Sequence, residues 1–310
     1  MKFIKSIPMA TCGLSLALAA LGNLLLPIPY GQTIRYICGF LSFIVLIIFL
    51  SKIIFDFPHA KEELKTPIPL SVLPTATMAI MLLCTYIRQY TGYFAISIWY
   101  VAVIVHICLI LLFIKRFCFN FKLSTVFPSW FIVGVGLVTI SVTAPVMGAV
   151  LIGQIAFYIG FAQYFIVLTL VLLRMTKVPI FPEPARKTIA IFTAPMSLLV
   201  VGYFNSFVSQ EQMNETLVYF MLILAFLSYV YVSIMMFSLL KINFYPTYAA
   251  FTFPYVISAT AFRLGANHIA SRYGFDFLIH IADVTMWIAV IIVGFVIMHY
   301  IKYLRFWLKF

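Results

Sequence analysis

The sequence predicts an all-α integral membrane protein of ten transmembrane helices paired as five helical hairpins, with residues 1–310 forming a single transmembrane domain. Three observations predict it: a composition foreign to water, ten apolar runs of bilayer-crossing length, and a lopsided placement of the basic residues. Of 310 residues, 65% are hydrophobic and 9% charged, with a mean hydropathy of +1.13, whereas a soluble domain is about 25% charged. A crossing takes about 20 apolar residues, so the spans and their short connections use nearly the whole length, leaving no room for a separate catalytic domain.

The runs fall at 7–26, 33–55, 69–87, 93–114, 126–146, 149–173, 188–208, 216–240, 247–270 and 280–301. The first follows Lys2 and Lys5 and opens at Pro8. Its Ala17, Ala19 and Ala20 also suit a secretory leader, but Pro8 groups it with later proline-marked spans. The second ends at Lys52, the third carries Pro69 and Pro74, and the fourth stops at Lys115 and Arg116. Pro128 and Pro145 bracket the fifth, Arg174 closes the sixth, and Arg186 and Lys187 precede the seventh with its Pro195. Lys241 follows the eighth, Pro254 lies in the ninth, and Lys302 follows the tenth.

On this layout sixteen of the twenty Lys and Arg fall on the side of both termini, and only Arg35, Arg88, Arg263 and Arg272 on the other. Positive charge marks the cytoplasmic side, so both termini are expected there. One misplaced span would destroy the asymmetry, which therefore also supports the count of ten. The net charge of +12 is this topology signal, scattered at the ends of apolar runs, and no nucleic-acid partner is expected.

Proline marks the odd-numbered runs alone. Pro8, Pro74, Pro128, Pro195 and Pro254 follow one another at intervals of 54 to 67 residues, the period of a repeated hairpin. A proline inside a helix frees a backbone carbonyl and kinks the axis, tolerated in a membrane only where protein or water satisfies it. The odd runs also hold small and hydroxyl residues such as Thr75, Thr77, Gly134, Gly136, Thr139, Ser141, Thr193 and Ser197, while even runs are bulky, as in 220–237. The expected arrangement is five kinked odd helices around an axis, with five even helices outside. Tight packing of small residues around a solid core is the competing reading.

Signs of catalysis are nearly absent. The acids Asp56, Glu62, Glu63, Glu183, Glu211, Glu215, Asp276 and Asp283 all lie at span ends or in loops, so no carboxylate pair sits at membrane depth as cation pathways usually require. His59, His106, His268, His280 and His299 form no metal-binding spacing, and the five cysteines lack a paired motif. With no nucleotide-binding fingerprint either, neither enzyme chemistry nor a cofactor is expected. His106 reads as a hydrogen-bonded packing residue. Basic residues at the cytoplasmic mouth, and Arg263 at an outer vestibule, would concentrate small anions.

The most specific local feature is Phe251-Thr252-Phe253-Pro254, where a proline could hold the ring before it across a narrow lumen. With Pro8 and Gly13, Phe127-Pro128-Ser129-Trp130-Phe131, and Pro182 through Thr188 leading to Ala194-Pro195, this stretch resembles the tellurite-resistance/dicarboxylate transporter family. That family includes the bacterial TehA proteins and the slow anion channels of plant guard cells. The resemblance covers almost the whole chain. It implies odd helices lining a central pore, a homotrimer with one pore per subunit, and a bacterial inner-membrane location. It further implies that Phe253 is the gate, that Gly13 faces it, and that Pro74, Pro128, Pro195 and Pro254 shape the lumen; Gly134 joins the pore lining as a small residue of an odd span.

Two transport readings stay open: a channel for chloride or nitrate closed by Phe253, and a carrier exporting a C4-dicarboxylate, sulfite or tellurite. A dianion would need a fixed cation, for which Arg263 is the candidate. A membrane protein that moves nothing is a third reading, opposed by the recurring prolines.

Overall fold

A chain this apolar must satisfy its backbone polar groups internally, which a single segment achieves only as a helix. The computed structural model describes residues 2–178, 180–207, 213–241 and 243–308, and among them no strand occurs. Residue 208 of the seventh run, Glu211 and Lys309 lie outside the described residues. The long elements are α1 (Thr11–Leu24), α2 (Gly31–Phe55), α3 (Pro67–Thr91), α4 (Tyr93–Cys118), α5 (Trp130–Thr143), α6 (Val150–Lys177), α7 (Glu183–Phe207), α8 (Glu215–Leu239), α9 (Thr252–Tyr273) and α10 (Phe277–Leu308). Short helices at Lys2–Ser6 and Phe57–Glu63 precede α1 and α3. Seven elements, α2, α3, α4, α6, α7, α8 and α10, are long and apolar enough to cross a membrane. The chain is a multi-pass membrane protein.

Neighbours in sequence are neighbours in space: α1 packs on α2, α3 on α4, α5 on α6, α7 on α8 and α9 on α10. A second set of contacts joins α1 to α3, α3 to α5, α5 to α7, α7 to α9 and α9 back to α1. Burial follows the same division. The apolar windows of α3 and α7 are 67% and 89% buried, those of α2, α4, α6, α8 and α10 about a third or less. Ile37, Phe40 and Phe43 of α2, Ile104 and Leu111 of α4, Ile234 and Phe237 of α8, and Trp287 and Ile291 of α10 lie exposed. Apolar faces of that extent are untenable in water and ordinary against lipid.

The prolines act differently from the kinks expected of them. The long buried segments are interrupted: α3 breaks at Leu73, Val135–Val138 of α5 and Lys187–Thr193 of α7 wind as 3-10 helix, and a 3-10 stretch Pro246–Phe251 leads into α9. Pro74, Pro195 and Pro254 then sit in the first turn of the α-helical part that follows. There the fixed φ suits the helix start. Pro8 and Pro128 lie just ahead of α1 and α5. The correction is thus from kink to restart.

Close approach of α5, α6 and α7 rests on glycine. A Cβ on Gly160 would overlap Val138, and one on Gly202 would come within 2.6 Å of Val138 Cγ1, so the valine fills a recess left by both. Gly202→Val should lower thermal stability in detergent by at least ~1–3 kcal/mol, the usual range for overpacking. Gly294→Ala, within α10 at a position with open space around it, should hold or slightly raise the melting temperature, since alanine favours a helix over glycine.

Candidate functional site

The five elements that contact one another in sequence α1, α3, α5, α7, α9 surround a cavity of about 280 Å³. Its walls are Gly13 of α1, Val72, Thr75 and Met78 of α3, Ile132, Val135 and Gly136 of α5, Ile191, Pro195 and Leu198 of α7, and Phe253 and Pro254 of α9. Segments leading into these helices complete it, with Pro8, Met9, Glu63 and Ala249 among them. No lining residue comes from α2, α4, α6, α8 or α10. The lining lies at the N-terminal ends of the five elements, where a Cβ on Gly13 would stand 3.7 Å from Ala249 Cβ and 3.9 Å from Thr75 Oγ1. Any larger residue at position 13 would extend toward Ala249 and Thr75.

The interrupted helices explain the chemistry of the wall. Each break frees carbonyls, and nearby hydroxyls take them up. Thr75 Oγ1 donates to Val72 O at 2.8 Å, Thr188 Oγ1 to Ala185 O at 2.6 Å, and Thr247 Oγ1 to Pro184 O at 2.8 Å. Ser197 and Ser258 both reach Thr193 O, at 2.8 and 2.9 Å. The three lining threonines, Thr75, Thr188 and Thr247, therefore have their protons committed to the backbone. An anion inside meets aliphatic groups, rings and hydroxyl oxygens that have already donated.

Of the residues singled out in the sequence, Gly13, Pro195, Phe253 and Pro254 meet at this cavity, while Pro74, Pro128, Gly134 and Arg263 are not among its lining. Gly134 faces outward: a Cβ there would stand 3.1 Å from Gln163 Oε1 and 3.2 Å from Val167 Cγ2, both on α6. Gly136 takes its place: it lies four residues after Ile132 and five after Phe131, on the stripe Phe131, Ile132, Val135 and Gly136 that faces the cavity. Pro74 and Pro128 are buried in helix starts and act on the wall only through the segments they begin. Arg263 reaches across to α10, where Nη1 donates to Asp283 Oδ1 at 2.6 Å, so its charge is answered within the hairpin. His106 of α4 is fully buried, its Nδ1 2.7 Å from Thr77 Oγ1, whose own proton goes to Pro74 O.

Glu63, Met78, Ile191 and Leu198 are lining residues not singled out beforehand. Thr188, Ile191, Pro195 and Leu198 repeat every three or four positions, one face of a helix, and that stripe was the available signal. Among the described residues no group of His, Cys, Asp or Glu is placed to hold a metal ion.

The sequence profile of the voltage-dependent anion channel (SLAC1) family matches residues 4–301. The chain belongs to that family. The matched stretch runs from the helix before α1 into α10 and so includes every wall of the cavity. No curated protein matches the chain. Members of the voltage-dependent anion channel family are channels or transporters of anions, and a cavity with largely apolar walls suits that role.

Two phenylalanines a single residue apart do different work in this voltage-dependent anion channel relative. Phe251 is 1% exposed and edge-packed on Tyr248 at 5.5 Å, whereas Phe253 faces the cavity. Phe251→Ala should cost about 3–5 kcal/mol of stability, as for a filled core site. Phe253→Ala, which enlarges an existing cavity, should cost clearly less. Melting of the two purified variants side by side checks the order.

Proposed function

We propose that the chain crosses the bacterial inner membrane ten times as five hairpins, with both termini cytoplasmic, and forms a pore for small monovalent anions such as chloride and nitrate. In this reading α1, α3, α5, α7 and α9 line the pore, the other helices face lipid and neighbouring subunits of a homotrimer, and Phe253 closes the lumen. One observation carries it: every residue around the cavity belongs to the five proline-marked segments or their leaders, and Phe253 is among them. The bias of Lys and Arg to one side supports the orientation. Exposed aromatic and aliphatic faces on α2, α4, α6, α8 and α10 supply surface for lipid and for like subunits.

The wall chemistry suits passage over retention. Conduction requires that an ion be held weakly enough to leave, and here the lining hydroxyls have given their protons to Val72, Ala185 and Pro184. A bulky ring in such a tube excludes both ion and water, which closes it by dewetting. Pro254, directly behind Phe253 in the first turn of α9, restrains the backbone that holds the ring. The Pro74 and Pro128 restarts shape the lumen from behind and Pro195 from its wall, with Gly13 leaving room opposite. Selection among anions follows from dehydration, so larger and less tightly hydrated nitrate should pass more readily than chloride. A carrier for dianions would need an uncompensated cation by the route, and Arg263 is bound to Asp283.

Planar bilayers holding purified protein test this. Wild type should carry little current, while Phe253→Ala should carry large anion-selective current with nitrate exceeding chloride. Silence from a folded Phe253→Ala protein would rule the gate out.

A further inference from the structure

A partly exposed acid stands in the cavity lining. Glu63 ends the short helix Phe57–Glu63 and, among the described residues, is the one charged side chain in the lining. A bare carboxylate there would repel anions. It is answered by Lys52 from the last turn of α2, whose Nζ donates to Glu63 Oε1 at 2.5 Å and to Ile7 O at 2.6 Å. Lys52 is 1% exposed and Glu63 39%, so the acid faces the opening and the ammonium is tucked behind it. Ile7 immediately precedes Pro8 and Met9, which also line the cavity. One ammonium thus joins α2 to two sides of the mouth.

We propose that the Lys52–Glu63 pair controls admission of ions to this mouth, an inference that rests on the pore reading above. Paired, the mouth is electrically neutral and anion admission depends little on salt. Without the carboxylate charge, the ammonium is left to attract anions. Without the ammonium, the carboxylate excludes them and favours cations. The neighbouring rim pair Lys65–Glu62, 2.6 Å apart and exposed on both sides, stays the same in either case. A unit charge about 8 Å from an ion in a watery opening changes the ion's local concentration by about two- to threefold at low salt. At 1 M the effect fades, because the screening length is about 3 Å.

The test uses the full chain in planar bilayers with Phe253→Ala as background, so that the inner ring does not limit current. Glu63→Gln keeps an acceptor for Lys52 and removes only the charge. It should raise chloride current about two- to threefold at 20 mM salt and hardly at all at 1 M. Lys52→Met should lower it over the same salt range and shift the reversal potential toward cation permeation. No change at low salt in Glu63→Gln, or changes of the same sign in both variants, would overturn the inference. Glu63→Gln decides alone if Lys52→Met does not fold. A folded Phe253→Ala protein without anion current sinks the pore reading itself, before either mouth variant is compared.

Discussion

Inside hydrocarbon a backbone carbonyl has no partner except the protein, and this constraint bears hardest on the helices that surround the cavity. α3, α5, α7 and the lead into α9 all depart from continuous α-winding, and each departure releases carbonyls that lipid cannot solvate. Thr75, Thr188, Ser197, Thr252 and Ser258 return those carbonyls to hydrogen bonds over short distances. Thr75, Thr188, Ser197 and Thr252 act within their own segments, while Ser258 reaches from α9 to Thr193 O of α7. The cavity's apolar character has the same origin, since a threonine that caps a carbonyl turns a methyl and a spent hydroxyl toward the space beside it.

The outer helices meet the constraint more simply, α2, α6, α8 and α10 as long uninterrupted α-helices and α4 as one that closes in a π-helical turn at Ile114–Cys118, and their side chains are then free to face lipid. What holds them to the inner set is small-residue contact. Tyr86 of α3 occupies the room left by Gly22 of α1 and Gly39 of α2, sends its hydroxyl proton to Ala19 O, and carries the Arg35 guanidinium 4.2 Å above its ring. Val138 plays the same part between α6 and α7. Without a hydrophobic force between helices in lipid, such close fitting is the main source of association. Glycine at these sites is therefore structural, whereas Gly13 and Gly136 leave space that the cavity occupies.

Much of this was legible in the sequence because period and position carry it. Apolar runs located the helices, the five prolines separated inner from outer segments, and the ring before Pro254 marked the cavity end of α9. What stayed hidden depends on phase and on contacts across the chain. Gly134 and Gly136 differ by two residues, about 200° around an α-helix, and which one faces inward is fixed by the face that Phe131, Ile132 and Val135 turn to the cavity, which composition does not reveal. The prolines announced a disturbance without saying whether it would be a bend or a restart. Arg263 looked free at an outer face, yet Asp283, twenty residues on, answers it across the α9–α10 hairpin.

The charges complete the same logic. A charged side chain near hydrocarbon is tolerated when paired or allowed to reach water. Arg263 with Asp283 and Lys52 with Glu63 are paired at the margins of the apolar space, and no charged group other than Glu63 faces the cavity among the described residues. Affinity for an anion would require fixed positive charge or free donors along the wall, and both have been used to hold the helices in place. In the proposed pore, discrimination would then come from the work of removing water, because the groups that stabilise the broken helices leave the space between them without free donors or uncompensated positive charge.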